Sequence, residues 1–177
     1  MHERFVLISG CSGGGKSTLL GELHMRGHQI VEEPGRRIVK HELDTGGRAL
    51  PWEDALAFTR LAIATALADR DAANASSGWV FFDRGLIDAA LALQRLTEEP
   101  VLAALNAQHP YYRRVFLAPP WQEIYVMDSE RRHAFEAGID EYERLERELP
   151  KLGYEVVILP KATASARADF VLTTLGA

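Results

Sequence analysis

One cysteine in 177 residues leaves no internal disulfide framework for the fold to rest on. The chain has no Lys/Arg run and a net charge of −5, so nucleic acid is not an expected partner. No apolar stretch is long enough to span a bilayer, and no leader-like segment opens the chain. The sequence therefore reads as cytoplasmic, with no membrane partner. His24, His28, His41, His109 and His133 are dispersed, and none has zinc-site spacing. Asn-Lys-x-Asp does not occur, and Asp44-Thr45-Gly46-Gly47 follows no strand pattern, so guanine specificity is not expected. There is no repeat, low-complexity tract or linker, and one domain over 1–177 is expected.

Against these absences stands a complete phosphate-binding pattern: Gly10-Cys11-Ser12-Gly13-Gly14-Gly15-Lys16-Ser17, followed by Thr18. It follows the apolar run Phe5-Val6-Leu7-Ile8 and precedes a helical pattern, the context in which a P-loop works. Its glycines let backbone N–H groups curl around phosphate oxygens, and the helix N-terminus favours bound negative charge. Lys16 is expected to reach the β/γ-phosphates of ATP, and the Ser17 hydroxyl to ligate Mg²⁺. Cys11 lies inside the loop. It is a small residue filling a tight turn, or a thiol made more acidic by the helix N-terminus.

Periodicity predicts strands at 4–9, 28–32, 79–82, 115–117 and 154–159, with helices over 16–26, 86–97, 130–149 and 163–174 and a short one from Pro100. Residues 36–50 are polar and receive no element. Pro51 is expected to open a long, largely buried helix to about 75 that serves as core or as a subunit interface. Strands alternating with helices predict a parallel sheet covered on both faces, with ligands at the carboxyl ends of its strands. The P-loop, Glu32-Glu33, Asp83-Arg84 and Pro119-Pro120 all fall at such ends, so one cleft should hold them.

Asp83 ends an apolar strand downstream of the P-loop. There it holds Mg²⁺ through water, acts as a base on an attacking hydroxyl, or merely caps the next helix. Arg84 follows where many motor ATPases carry a second acid. Its planar fork suits a substrate or a transferring phosphoryl group, and an ion pair with Asp88 is the simpler alternative. Glu33 and Arg37 are expected to face the acceptor, unless the Glu32, Glu33, Arg36, Arg37 cluster is a solvated loop. Arg131 and Arg132 adjoin a lid segment around 121–140, where Arg131 would neutralise charge on the transferring group. The segment 160–167 is expected near adenine. Trp52, Phe58, Tyr111, Tyr112 and Trp121 are expected in the core or the cleft wall.

Taken together, the P-loop, Glu33 with Arg37, Phe82-Asp83-Arg84-Gly85-Leu86-Ile87-Asp88, Phe116-Leu117-Ala118-Pro119-Pro120-Trp121 and Leu159-Pro160 resemble the AAA-28-type predicted ATPase family. That family is similar to the kinase domain of bacterial bifunctional nicotinamide riboside kinases and, more distantly, to nucleoside and nucleotide kinases. The resemblance covers most of the chain. It implies a three-layer α/β P-loop kinase fold with a five-stranded parallel sheet, and it names no substrate. With the P-loop almost at the N-terminus, no nucleotidylyltransferase domain is expected before it.

The reading these residues favour is an ATP- and Mg²⁺-dependent phosphotransferase acting on a small hydroxylated, nucleoside-like metabolite. Its rivals are an ATPase or switch module that regulates a partner, and a protein that holds nucleotide without turnover.

Overall fold

The computed structural model describes residues 2–124 and 129–177, with the backbone alone described over 129–134. Five parallel strands form one sheet in the order β2-β3-β1-β4-β5. They are β1 (Phe5–Gly10), β2 (Gln29–Val31), β3 (Val80–Asp83), β4 (Arg114–Ala118) and β5 (Glu155–Ile158). β1 lies between β3 and β4, with Ile8 opposite Asp83 and Gly10 opposite Ala118. The ends of three central strands therefore meet where the P-loop begins.

β1 is buried at every position, as its unbroken apolar run requires in a sheet covered on both faces. Alternation divides its side chains between two cores. Phe5 and Leu7 pack with Phe82, Leu86, Leu145 and Leu149, beneath α4 (Leu86–Thr97) and α6 (Ser129–Lys151). Val6 and Ile8 pack with Leu19, Leu23, Val171 and Leu175, beneath α1 (Lys16–Met25) and α7 (Ala164–Leu175).

The polar stretch that received no element is α2 (Pro34–Thr45). Pro34, not Pro51, takes the first helical turn, where its missing N–H costs nothing, and Gly46 closes the helix at φ +71°. The low hydropathy of α2 hid it, because only Pro34 and Ile38 are buried. Pro51 sits in a turn. α3 (Ala55–Ala73) starts after Asp54, whose carboxylate accepts from the Ala57 N–H at 2.9 Å. Nor is α3 buried on all sides: Thr59, Ala62, Ala66, Arg70 and Ala73 face inward, while Leu56 and Leu61 are exposed. Ile38, Ala62 and Ala89 join α2, α3 and α4 into a small cluster beside the sheet. α5 (Val101–Gln108) packs on α4. Among the described residues no helix is long and apolar enough to cross a membrane.

Candidate active site

The P-loop is held against the end of β4. Gly10 has φ +109°, and a Cβ there would collide with the Ala118 carbonyl, so only glycine lets β1 and β4 close at this point. α6 crosses the loop just as closely: a Cβ at Gly138 would lie 3.0 Å from Cys11 Sγ and 3.4 Å from the Ser12 nitrogen. Cys11 is fully buried, and burial raises its pKa, so the loop filler and not the reactive thiol is what the fold contains.

α1 starts at Gly15 with no acid in its first turn, which leaves its positive end unopposed. Lys16 is buried. Its Nζ donates to the Cys11 carbonyl at 2.9 Å and the Gly10 carbonyl at 3.3 Å. Burial, reinforced by Arg84, pulls its pKa down to about 8. The ammonium thus waits on weak carbonyl acceptors beside a cavity of about 440 Å³, lined also by Ser17, Thr18, Trp121, Ala162 and Arg167.

Arg167, the last residue of the segment expected near adenine, reaches the P-loop itself. It is 2% exposed, and its Nη1 donates to the carbonyls of Gly14 at 3.0 Å and Gly15 at 3.3 Å. Its guanidinium lies 5.7 Å from the Trp121 ring centroid. Among the described residues no carboxylate contributes to its electrostatics, and burial lowers its pKa.

On the other side of Ser17 lies a cavity of about 310 Å³, lined by Ser17, Glu33, Arg36, Arg37 and Asp83 among others. Asp83 is buried, and its carboxyl is raised mainly by that burial, against the pull of Lys16. It does not cap α4, whose N-cap is Gly85 with no side-chain bond. Its Oδ1 has no hydrogen-bond partner among the described residues. Ser17 Oγ accepts from Arg36 at 3.2 Å. A hard cation that keeps several waters and takes phosphate oxygens needs few protein ligands. A buried carboxylate oxygen without a partner and a hydroxyl on one cavity wall fit Mg²⁺. Among the described residues no group of three or more His, Cys, Asp or Glu forms a denser metal site.

Arg84 takes a left-handed backbone, φ +55°, uncommon for a side chain of its size. The turn brings its guanidinium under the P-loop. Nη2 donates to the Gly10 carbonyl at 3.1 Å, and Nη1 is bound by Glu141 of α6. Glu33 and Asp88 stand further off, at 3.8 and 3.9 Å. Burial would lower its pKa, but the three carboxylates outweigh this and raise it. Asp88 is therefore only one of several partners, and the longest. These groups line a third cavity, of about 190 Å³, closed by Phe58 and Thr59 of α3.

The buried side-chain atoms without partners mark the cleft. Among the described residues they are Arg37 Nε, Arg70 Nη1, Asp83 Oδ1, Asp88 Oδ2 and Arg167 Nε and Nη2. All but Arg70 belong to residues that line these cavities, and Arg70 lies over the Tyr111 ring at 4.4 Å. Unpaired buried polar atoms are rare in folded proteins and call for an explanation, such as a ligand that is their partner.

The residues expected to act do gather here, with differences in detail. Glu33 borders both the Ser17–Asp83 cavity and the Phe58 cavity. Arg37 stays on the rim, where Asp69 of α3 engages it, while Arg36 reaches Ser17. The backbone of Arg131 lies in α6, and its side chain falls outside the described residues, as does backbone 125–128 of the expected lid. Of the aromatics, Phe58 and Trp121 line cavities, Tyr111 is core, Tyr112 packs edge-on to Trp79, and Trp52 is 68% exposed. Asp88 and Glu141 were missed as cavity residues. Asp88 stood out in sequence only as a partner for Arg84, and Glu141 is one acid among many on a charged helix.

Solved structures that share this architecture include kinases. The structure superposes on deoxyadenosine kinase from M. mycoides with bound dATP, with a TM-score of 0.63, 14% identity, and 98% of this chain and 100% of that one covered. For shikimate kinase from Acinetobacter baumannii in complex with shikimate the values are 0.57, 12%, 97% and 92%. For a NadR protein in complex with NR they are 0.71, 21% and 98%, and this chain spans 52% of that one. At these identities the likeness establishes the fold. No curated protein matches the sequence. Residues 5–167 match the model of the AAA_28 family, described as an AAA domain, and the chain belongs to that family.

Proposed function

We propose that the protein is an ATP- and Mg²⁺-dependent phosphotransferase acting on a small hydroxylated, nucleoside-like acceptor. The observation that carries this is the pairing of cavities. A cavity at Lys16, Ser17 and Arg167 suited to phosphates is followed, past Asp83 and Glu33, by a second cavity with its own buried polar groups. Hydrolysis needs room for one water; an acceptor needs a pocket. That its structural neighbours include kinases described with dATP, shikimate and NR supports the same reading.

Lys16 and the P-loop amides would hold the β- and γ-phosphates. Mg²⁺ supplies charge neutralisation between phosphate oxygens when bound, and Ser17 and Asp83 are the residues to hold it. Glu33, common to both sides of the cleft, would take the acceptor's hydroxyl proton as the oxygen bonds to the γ-phosphorus and the bridge to the β-phosphate breaks, releasing ADP. Arg36, which reaches Ser17 from the cleft wall, would offset the charge on the transferred group.

The test is ADP release from Mg·ATP over a panel of nucleosides and polyols, with product mass read in parallel. The expected result is at least a tenfold stimulation by one acceptor class, and a product heavier by one phosphoryl group. ADP release that no acceptor alters would instead support the hydrolytic switch.

A further inference from the structure

We propose that Glu141 is a positioning residue: through Arg84 it fixes the first peptide of the P-loop in the shape that takes up phosphate. This rests on the nucleotide-binding half of the phosphotransferase reading and adds a residue of α6 to it. The peptide between Gly10 and Cys11 opens the loop. Its N–H, on Cys11, donates to the Ala118 carbonyl at 2.9 Å. Its carbonyl, on Gly10, accepts from Arg84 Nη2 at 3.1 Å and from Lys16 Nζ at 3.3 Å. Lys16 is the residue expected to turn to phosphate, which leaves Arg84 as the donor that keeps this carbonyl satisfied. Arg84 can do so only while its guanidinium stays aimed. Its side chain is 12% exposed, and Nη1 is bound by Glu141. The other carboxylates, Glu33 and Asp88, stand off at 3.8 and 3.9 Å. With one terminal nitrogen on a backbone carbonyl and the other on a carboxylate, the planar fork is committed to the loop and not to a transferring phosphoryl group.

The second, independent observation is the packing of α6 on the same stretch of loop. One turn before Glu141, an added Cβ at Gly138 would stand 3.0 Å from Cys11 Sγ and 3.4 Å from the Ser12 nitrogen. Glycine weakens a helix interior, and the close approach is what it permits here. α6 thus holds residues 10–12 twice, by contact at Gly138 and through Arg84 at Glu141. The simpler role for Glu141 is that of a bare acid lining the Phe58 cavity and the cavity between α4 and α6. That role predicts the opposite sign: removing a negative charge near the loop would tighten phosphate binding.

Calorimetry on the full chain with a non-hydrolysable ATP analogue and Mg²⁺ decides between them. Glu141→Met removes the acceptor and keeps most of the volume, whereas Glu141→Gln keeps a neutral acceptor. The expected result is about tenfold weaker analogue binding in Glu141→Met, and binding within about threefold of the unaltered chain in Glu141→Gln. Arg84→Met should lose at least as much as Glu141→Met. Adding Glu141→Met to Arg84→Met should then cost less than about twofold more, because a residue that acts only through Arg84 has nothing left to act on. Should the Arg84 variants not fold, the contrast between methionine and glutamine at 141 carries the test alone. The proposal is overturned by a Glu141→Met chain that binds the analogue as tightly as before or more tightly, by equal losses in the two Glu141 variants, or by a loss that adds to that of Arg84→Met. A lower melting temperature with unaltered analogue affinity overturns it too, since a purely structural ion pair would show only that. Analogue binding that follows the expected pattern, with no acceptor ever phosphorylated, would keep this proposal and remove the phosphotransferase reading.

Discussion

Arg167→Met is expected to weaken Mg·ATP binding about 100-fold while leaving the nucleotide-free protein as stable as before, or more so. Truncating one member of a desolvated charge pair costs about 2–5 kcal/mol of binding, within which a 100-fold loss falls. In the free protein, however, the described residues supply only one member of the pair. Arg167 is 2% exposed, two of its nitrogens lack partners among the described residues, and no carboxylate offsets it. A guanidinium stays charged in proteins, so the fold carries a buried cation with no counter-ion among the described residues. Its place on the carbonyls of Gly14 and Gly15, facing Lys16 and Thr18 across the cavity, makes the triphosphate its missing partner. Methionine fills much of the same volume without charge. Calorimetry with Mg·ATP and thermal denaturation without nucleotide separate the possibilities. If Arg167 only buttresses the P-loop, the variant melts several degrees lower without nucleotide and binds ATP normally once folded.

How much of this could be read from the residues alone follows from the range of each interaction. The P-loop, its flanking strand and its helix are contiguous, so pattern alone located them. Asp83 could be placed at a strand end because Val80–Phe82 is an unbroken apolar run. The β-α alternation led to the five-stranded parallel sheet, which the structure has. What sequence did not disclose is long-range. Arg84 meets Glu141 57 residues away, and Arg167 meets Gly14 153 residues away. Nothing local distinguishes Glu141 from the other acids of α6; the close crossing at Gly138 brings that turn of helix over the cleft. The assignment of α2 failed for a different reason. Only two of its residues are buried and its mean hydropathy is low, so polar residues masked its amphipathic pattern, and the cue that mattered was Pro34 itself.

Asp88→Asn should raise stability by about 3 kcal/mol at pH 8 and leave it nearly unchanged at pH 4. Burial pushes the Asp88 carboxyl from 3.8 to about 6, more than Arg84 and the Ser9 hydrogen bond pull it back. The native state therefore binds a proton that the unfolded chain releases between those two pH values. Native stability falls as pH rises through this window, and above pH 6 the ionised group opposes folding by its full amount. Two pKa units correspond to about 3 kcal/mol, or about 6–12 °C in melting temperature for a chain of this length. Asparagine keeps the shape and can still accept from Ser9, but it has no charge to desolvate. Melting temperatures of both proteins from pH 4 to pH 8 give the result, since the gap should open across that interval. A gap that is constant with pH, or a variant less stable at pH 8, would mean that the folded protein already satisfies the Asp88 charge. If the variant is more stable yet binds acceptor less well, then the charge at residue 88 is retained for the ligand. On the proposed function the same logic covers Arg167: opposite charges at the two ends of one cleft, each held at a cost to the empty fold, would be matched by the triphosphate at one end and the acceptor at the other.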